Sequence, residues 1–71
     1  MKMETIVGSS NVARVGYDPD AKVLRVEFHS GSTYDYYEVT FAENVEFRGA
    51  PSAGQHLNRH IKPGRTYALV M

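Results

Sequence analysis

Between Val23 and His29 the chain alternates strictly, with Leu24, Val26 and Phe28 set against Arg25, Glu27 and His29. A period of two sends one set to a buried face and the other to water, so this is the clearest strand. Val12 to Tyr17 is also β-friendly, with Ala13, Val15 and Tyr17 expected on one face and Arg14 on the other. Asp18-Pro19-Asp20 separates the two with turn chemistry: proline presets φ and aspartate closes an Asx-turn. Ser30-Gly31 fits a tight hairpin turn, and Thr33 to Val39 follows as the partner strand. There Tyr34 and Tyr36 share one face, and Thr33, Asp35, Tyr37 and Val39 share the other. The pattern predicts three strands in meander order.

The period changes at Thr40. Thr40 with Glu43 three residues on forms a capping box, so a helix should start there, and Gly49-Ala50-Pro51 should stop it. Its apolar residues Phe41, Val45 and Phe47 are not cleanly periodic. Ser52 with Gln55 is a second capping box, opening a helix on which Ala53, Leu57 and Ile61 form one stripe. Pro63-Gly64 ends it, and Thr66 to Val70 is β-like again and could return to the sheet. The expected fold is α+β: a three-stranded antiparallel meander, two short helices, and a C-terminal strand that can rejoin the sheet. Gly8-Ser9-Ser10-Asn11 reads as a flexible entry after an N-terminal extension, residues 1–8.

Length sharpens this picture. At 71 residues the chain is one domain with a thin core, burying only about 60% of the surface its unfolded form exposes. There is no cysteine, so neither a disulfide nor a thiolate metal site can staple it. No apolar run is long enough to span a membrane, and the first residues lack the apolar core of a secretory signal, so a cytoplasmic protein is expected. Eight basic and eight acidic residues cancel. They are segregated, however. Residues 1–46 hold all eight acids against four bases, a net of −4, and residues 47–71 hold Arg48, Arg59, Lys62 and Arg65 with no acid, a net of +4.

One further pattern runs through these signals. Ser9-Ser10, Val15-Gly16-Tyr17-Asp18, Val26-Glu27-Phe28, Gly31 and Tyr34-Asp35-Tyr36 are followed by Val39, Ser52-Ala53-Gly54, Leu57-Asn58, Ile61 and Tyr67. In order and spacing this resembles the KTSC domain, a small bacterial and phage module named for the C-terminus of certain lysyl-tRNA synthetases. Thr40 stands where that family usually has proline, Glu43-Asn44 where it tends to have Val-Tyr, and His56-Leu57 where it has an aromatic pair. The resemblance implies a fold, and its synthetase context implies RNA as a partner.

Several residues carry candidate chemistry. Arg59, Lys62 and Arg65 could hold phosphates, or could complement the negative end of a helix dipole. Tyr37 and Tyr17 could stack bases, whereas Tyr34 and Tyr36 are expected to pack beneath the helices. Ser52 and Gly54 sit at a helix N-terminus, where free N–H groups suit an anion unless Ser52 and Gln55 already cap them. Asn58 could read a ligand or pin a loop carbonyl. His56 and His60 have metal-ligand spacing, but the glutamate of His-Glu-x-x-His is replaced by Leu57, so both are expected to pack, with His56 kept among the candidate ligand contacts, and no metal or other cofactor is expected.

No nucleophile elbow, P-loop or cysteine nucleophile is present, and a non-enzyme is expected. Two functions follow. One is a module binding RNA or another phosphate-bearing, nucleotide-type ligand through the acid-free basic segment beside a tyrosine-rich sheet. The other is a protein-interaction or homo-oligomerisation module, with a small-ligand pocket at the oligomer interface as a variant. It is motivated by the charge segregation and the apolar tail Tyr67-Ala68-Leu69-Val70-Met71.

Overall fold

The alternation of Val23–Phe28 becomes the middle of a sheet. A computed structural model describes all residues 1–71. Its strands are β1 (Glu4–Thr5), β2 (Val12–Asp18), β3 (Val23–Phe28), β4 (Thr33–Tyr36) and β5 (Tyr67–Leu69). They form one antiparallel sheet in the order β1-β2-β3-β4-β5. Helix α1 (Phe41–Gly49) and helix α2 (Ala53–His56) lie between β4 and β5 in sequence. Helix α2 continues without a break into a π-helical turn over Leu57–Ile61. This is the expected α+β fold, with the C-terminal strand in the sheet.

Register sorts the two faces. Val15, Val26, Tyr34 and Leu69 lie in one cross-strand row, and Tyr17, Leu24, Tyr36 and Tyr67 in the next. Both rows belong to the face beneath the helices. Val12, Val15, Leu24, Val26, Tyr36 and Val39 form the core there with Phe47, Ala53, Leu57 and Ile61. The predicted stripe Ala53-Leu57-Ile61 is therefore the buried side of the second helix. Truncating Leu57 would cost about 2–5 kcal/mol by cavity formation. On the opposite face, directly facing residues pair as ions: Arg14 with Glu27, and Arg25 with Asp35 at 2.7 Å. The Arg25–Asp35 hydrogen bond raises the guanidinium's pKa.

The turns use the chemistry their residues supply. Asp18 Oδ1 accepts from the N–H groups of Asp20 and Ala21, closing the Asx-turn. Gly31 takes φ 101° in the β3–β4 hairpin, a region costly for any side chain. Thr40 and Glu43 form the full reciprocal capping box at α1. At α2 only the Ser52 half forms, with Ser52 Oγ accepting from the Gln55 N–H at 3.4 Å.

Four features depart from the sequence reading. The strand read as Thr33 to Val39 ends at Tyr36, and Glu38 takes φ 58°, which breaks the alternation and puts Val39 in the core rather than on the face of Thr33 and Asp35. The β2–β3 register shifts between Val12 and Arg14, so Val12 is fully buried and Ala13 only half-buried. A bulge inserts one residue and so resets the alternation. Residues 4 and 5, read as part of an extension, add an edge strand to β2. The segment before them crosses the second sheet face at Gly16, where a Cβ would stand 2.9 Å from the Lys2 carbonyl oxygen. Finally, only Phe47 of the three apolar α1 residues is buried, while Phe41 and Val45 are exposed. Asn44 takes the other inward position, its Oδ1 accepting from Arg48 Nε at 3.0 Å.

Candidate ligand-binding site

The helices leave the β5 side of their sheet face open. Tyr67 and Leu69 are 60% and 62% exposed there, although their row partners Tyr36 and Tyr34 are buried and half-buried. Tyr34 and Tyr67 meet edge to face at 5.9 Å, Tyr36 and Tyr67 lie 6.0 Å apart, and Phe28 abuts Tyr34 at 6.1 Å. These four rings line a hollow of about 230 Å³. Its only charged wall is Lys62, whose Nζ stands 5.6 Å from the centroid of the Phe28 ring. Burial pushes the Tyr36 phenol up to about 12, with Tyr34 and Tyr67 adding to the shift.

A second hollow, of about 210 Å³, adjoins the first through Phe28 and Lys62. Its polar groups come from Ser10, Asn11, His29, Ser30 and Asn58. The His29 ring is held there by Nε2–H donation to the Ser9 carbonyl at 3.1 Å. Gly54 lines the floor, and a Cβ on it would lie 3.2 Å from Asn11 Nδ2. The π turn bears on the same place. Its Lys62 N–H donates to the Leu57 carbonyl at 2.9 Å, which sets the exit of the helix and the root of the Lys62 side chain.

The other residues singled out in the sequence are dispersed. Arg59, Ser52 and His56 line a separate shallow hollow of about 180 Å³ with His60. Of the two histidines expected to pack, only His56 does, 6.1 Å from Phe47; His60, one turn on, is exposed, with its ring 4.7 Å from that of His56. No cluster of three or more His, Cys, Asp or Glu side chains forms anywhere in the chain. Arg65 is turned inward. Its Nε donates to the Ile61 carbonyl at 2.6 Å, Nη1 to the Tyr37 and Glu38 carbonyls, and Nη2 to Glu43 at 2.5 Å. The Thr40 N–H and Arg65 together hold the Glu43 carboxyl below the usual carboxylate range. Tyr17 lies beside Phe41 of α1, and its hydroxyl donates to the Val39 carbonyl at 2.6 Å. Tyr37 is half-buried at the end of β4 and tied to Thr66 through its N–H.

Thus the structure brings Lys62, Asn58 and Gly54 together, and sets Arg59, His56 and Ser52 beside them on another face of the helix. Tyr17, Tyr37 and Arg65 line none of these hollows. The aromatic residues next to Lys62 are Phe28, Tyr34, Tyr36 and Tyr67. Their signal in the sequence was the returning strand, which aligns Tyr67 with Tyr36 once it pairs with β4.

The KTSC domain profile matches residues 8–67. The chain belongs to the KTSC domain family. It is 38% identical over 53 residues to a lysine–tRNA ligase of Nostoc punctiforme, covering 75% of this chain and 9% of that one. It therefore spans about a tenth of the length of that ligase. An uncharacterized protein of Stutzerimonas stutzeri is 40% identical over 55 residues, 78% of each chain. The crystal structure of a KTSC domain protein from Yersinia pestis superposes with a TM-score of 0.89 at 28% identity, covering 99% of this chain and 97% of that one. Most residues that carry the KTSC resemblance have structural duties here. Ser9 Oγ accepts from the Asn11 and Val12 N–H groups, Gly16 admits the N-terminal segment, and Leu57 and Ile61 fill the core. No helix is long and apolar enough to cross a membrane.

Proposed function

We propose that this KTSC domain is a non-enzymatic binding module for RNA or another phosphate-bearing, nucleotide-type ligand, working in the cytoplasm. The observation that carries this reading is the state of the basic C-terminal segment. Arg48 and Arg65 are consumed by Glu4 and Glu43, whereas Arg59 and Lys62 are in no ion pair and stand exposed on consecutive turns of one helix. Lys62 also borders four aromatic rings. Cations neutralise phosphates, and aromatic faces stack bases in a sequence-tolerant way. The presence of similar domains in lysine–tRNA ligases supports RNA as the ligand. Anisotropy of a labelled, mixed-sequence single-stranded RNA across a salt series tests this. With two phosphates engaged, log K should fall against log salt with a slope of about −1.4. Absence of binding at low salt contradicts the reading.

Self-association is a second reading, favoured by β5. Tyr67, Leu69, Val70 and Met71 are exposed and carry no charge to guard the edge. The Tyr37 N–H donates to the Thr66 carbonyl and the Val70 N–H to the Thr33 carbonyl. By alternation, the backbone groups of Tyr67 and Leu69 then point away from β4. Two copies paired antiparallel about Ala68 would satisfy them. Light scattering at high concentration should then give a dimer that Leu69→Lys dissociates, and a strict monomer contradicts it.

A further inference from the structure

The two hollows that share Phe28 and Lys62 differ in chemistry as the two ends of a nucleotide do. The aromatic hollow offers ring faces and one ammonium. Tyr67 is its open side, with its ring available to a planar ligand. The polar hollow offers side-chain amides from Asn11 and Asn58, hydroxyls from Ser10 and Ser30, and the same ammonium. No carboxylate lines either one. An anion placed in the polar hollow therefore meets one unpaired cation and several neutral donors, with no like charge opposing it. A flat apolar group in the other hollow meets π-faces on a rigid sheet.

We infer that the pair is a single mononucleotide site, occupied by one nucleotide, free or within a single strand. The base lies in the aromatic half against Tyr67 and Tyr34. The ribose passes the Phe28–Lys62 junction. The phosphate sits in the polar half, held by Lys62 and the amides of Asn11 and Asn58. This deepens the binding reading above and rests on it. It also accounts for the position of Lys62, which borders both halves, whereas Arg59 opens onto a different hollow.

Adenosine 5′-monophosphate, adenosine and inorganic phosphate, titrated separately into the ¹⁵N-labelled protein at low salt, test the site. The monophosphate should bind tighter than either fragment, with amide shifts at Phe28, Asn58, Lys62 and Tyr67. Lys62→Ala should weaken the monophosphate about fivefold or more and leave adenosine unchanged. Tyr67→Ala should weaken both by about tenfold. Both side chains are exposed, and an unchanged melting temperature confirms that each variant is folded. Inorganic phosphate binding as tightly as the monophosphate overturns the inference, as does a Tyr67→Ala protein that binds the monophosphate normally. RNA that binds but is not displaced by the monophosphate overturns the mononucleotide site and leaves the RNA reading standing. Failure of both RNA and monophosphate to bind ends both.

Discussion

Replacing Arg65 with alanine separates a structural lock from a ligand contact. Its guanidinium joins the end of the second helix, the segment after β4 and the first turn of α1 through Ile61, Tyr37, Glu38 and Glu43. Only 13% of the side chain is exposed, so solvent screens these contacts little. Hydrogen bonds to a charged group contribute about 1.5–3 kcal/mol each. Four that share one group are not additive, and about 3 kcal/mol is the expected total loss. A 71-residue domain has roughly 4–10 kcal/mol of stability in all. The melting temperature should therefore fall by about 12–24 °C. Arg65→Lys, which keeps the charge but not the planar fork, should fall in between. Thermal unfolding followed by circular dichroism measures both, with RNA binding measured below the transition. A melting temperature within ~2 °C of the parent, combined with lost RNA binding, would refute the lock and return Arg65 to the ligand.

Three further outcomes follow from the same contacts. Tyr36 is held neutral by burial, so its contribution is intact below pH 10 and is lost as pH rises toward about 12. Tyr36→Phe should flatten that alkaline decline, which amounts to about 3 kcal/mol at most in chemical denaturation. Glu43 has a depressed folded pKa, so its stabilisation is complete above the unfolded carboxylate range and lost as pH falls through the folded value. Glu43→Gln should remove that part of the acid slope, and an unchanged slope would contradict the capping and Arg65 contacts. Gly16→Ala should push the Lys2 backbone off the sheet, costing about 1–3 kcal/mol and accelerating hydrogen exchange at Glu4 and Thr5.

What could be read from the sequence was what local physics decides. Leu24 and Val26 follow the period of two, Thr40 and Glu43 cap α1, and Leu57 and Ile61 fall on one helical stripe, each from nearby residues alone. The bulge at Ala13 and the two-residue strand β1 depend on a partner strand's register, which no local pattern encodes. Arg65 illustrates the same limit at the site. A cation after a helix suits its dipole and suits a phosphate equally well, and only the approach of the Tyr37 and Glu38 carbonyls decides between them. Tyr67 had the converse fate. As a lone aromatic in a tail it carried little weight, and pairing with Tyr36 makes it the open wall of the aromatic hollow.

The central claim is that the face bearing Phe28, Tyr67 and Lys62 binds a nucleotide unit. Titrating a short, mixed-sequence single-stranded RNA into the ¹⁵N-labelled protein at low salt, and mapping the amide shifts, tests it most directly. Shifts concentrated at residues 28–36, 54–62 and 67 are predicted. Shifts confined to the Arg14–Glu27 and Arg25–Asp35 face, or none at saturating RNA, would contradict it.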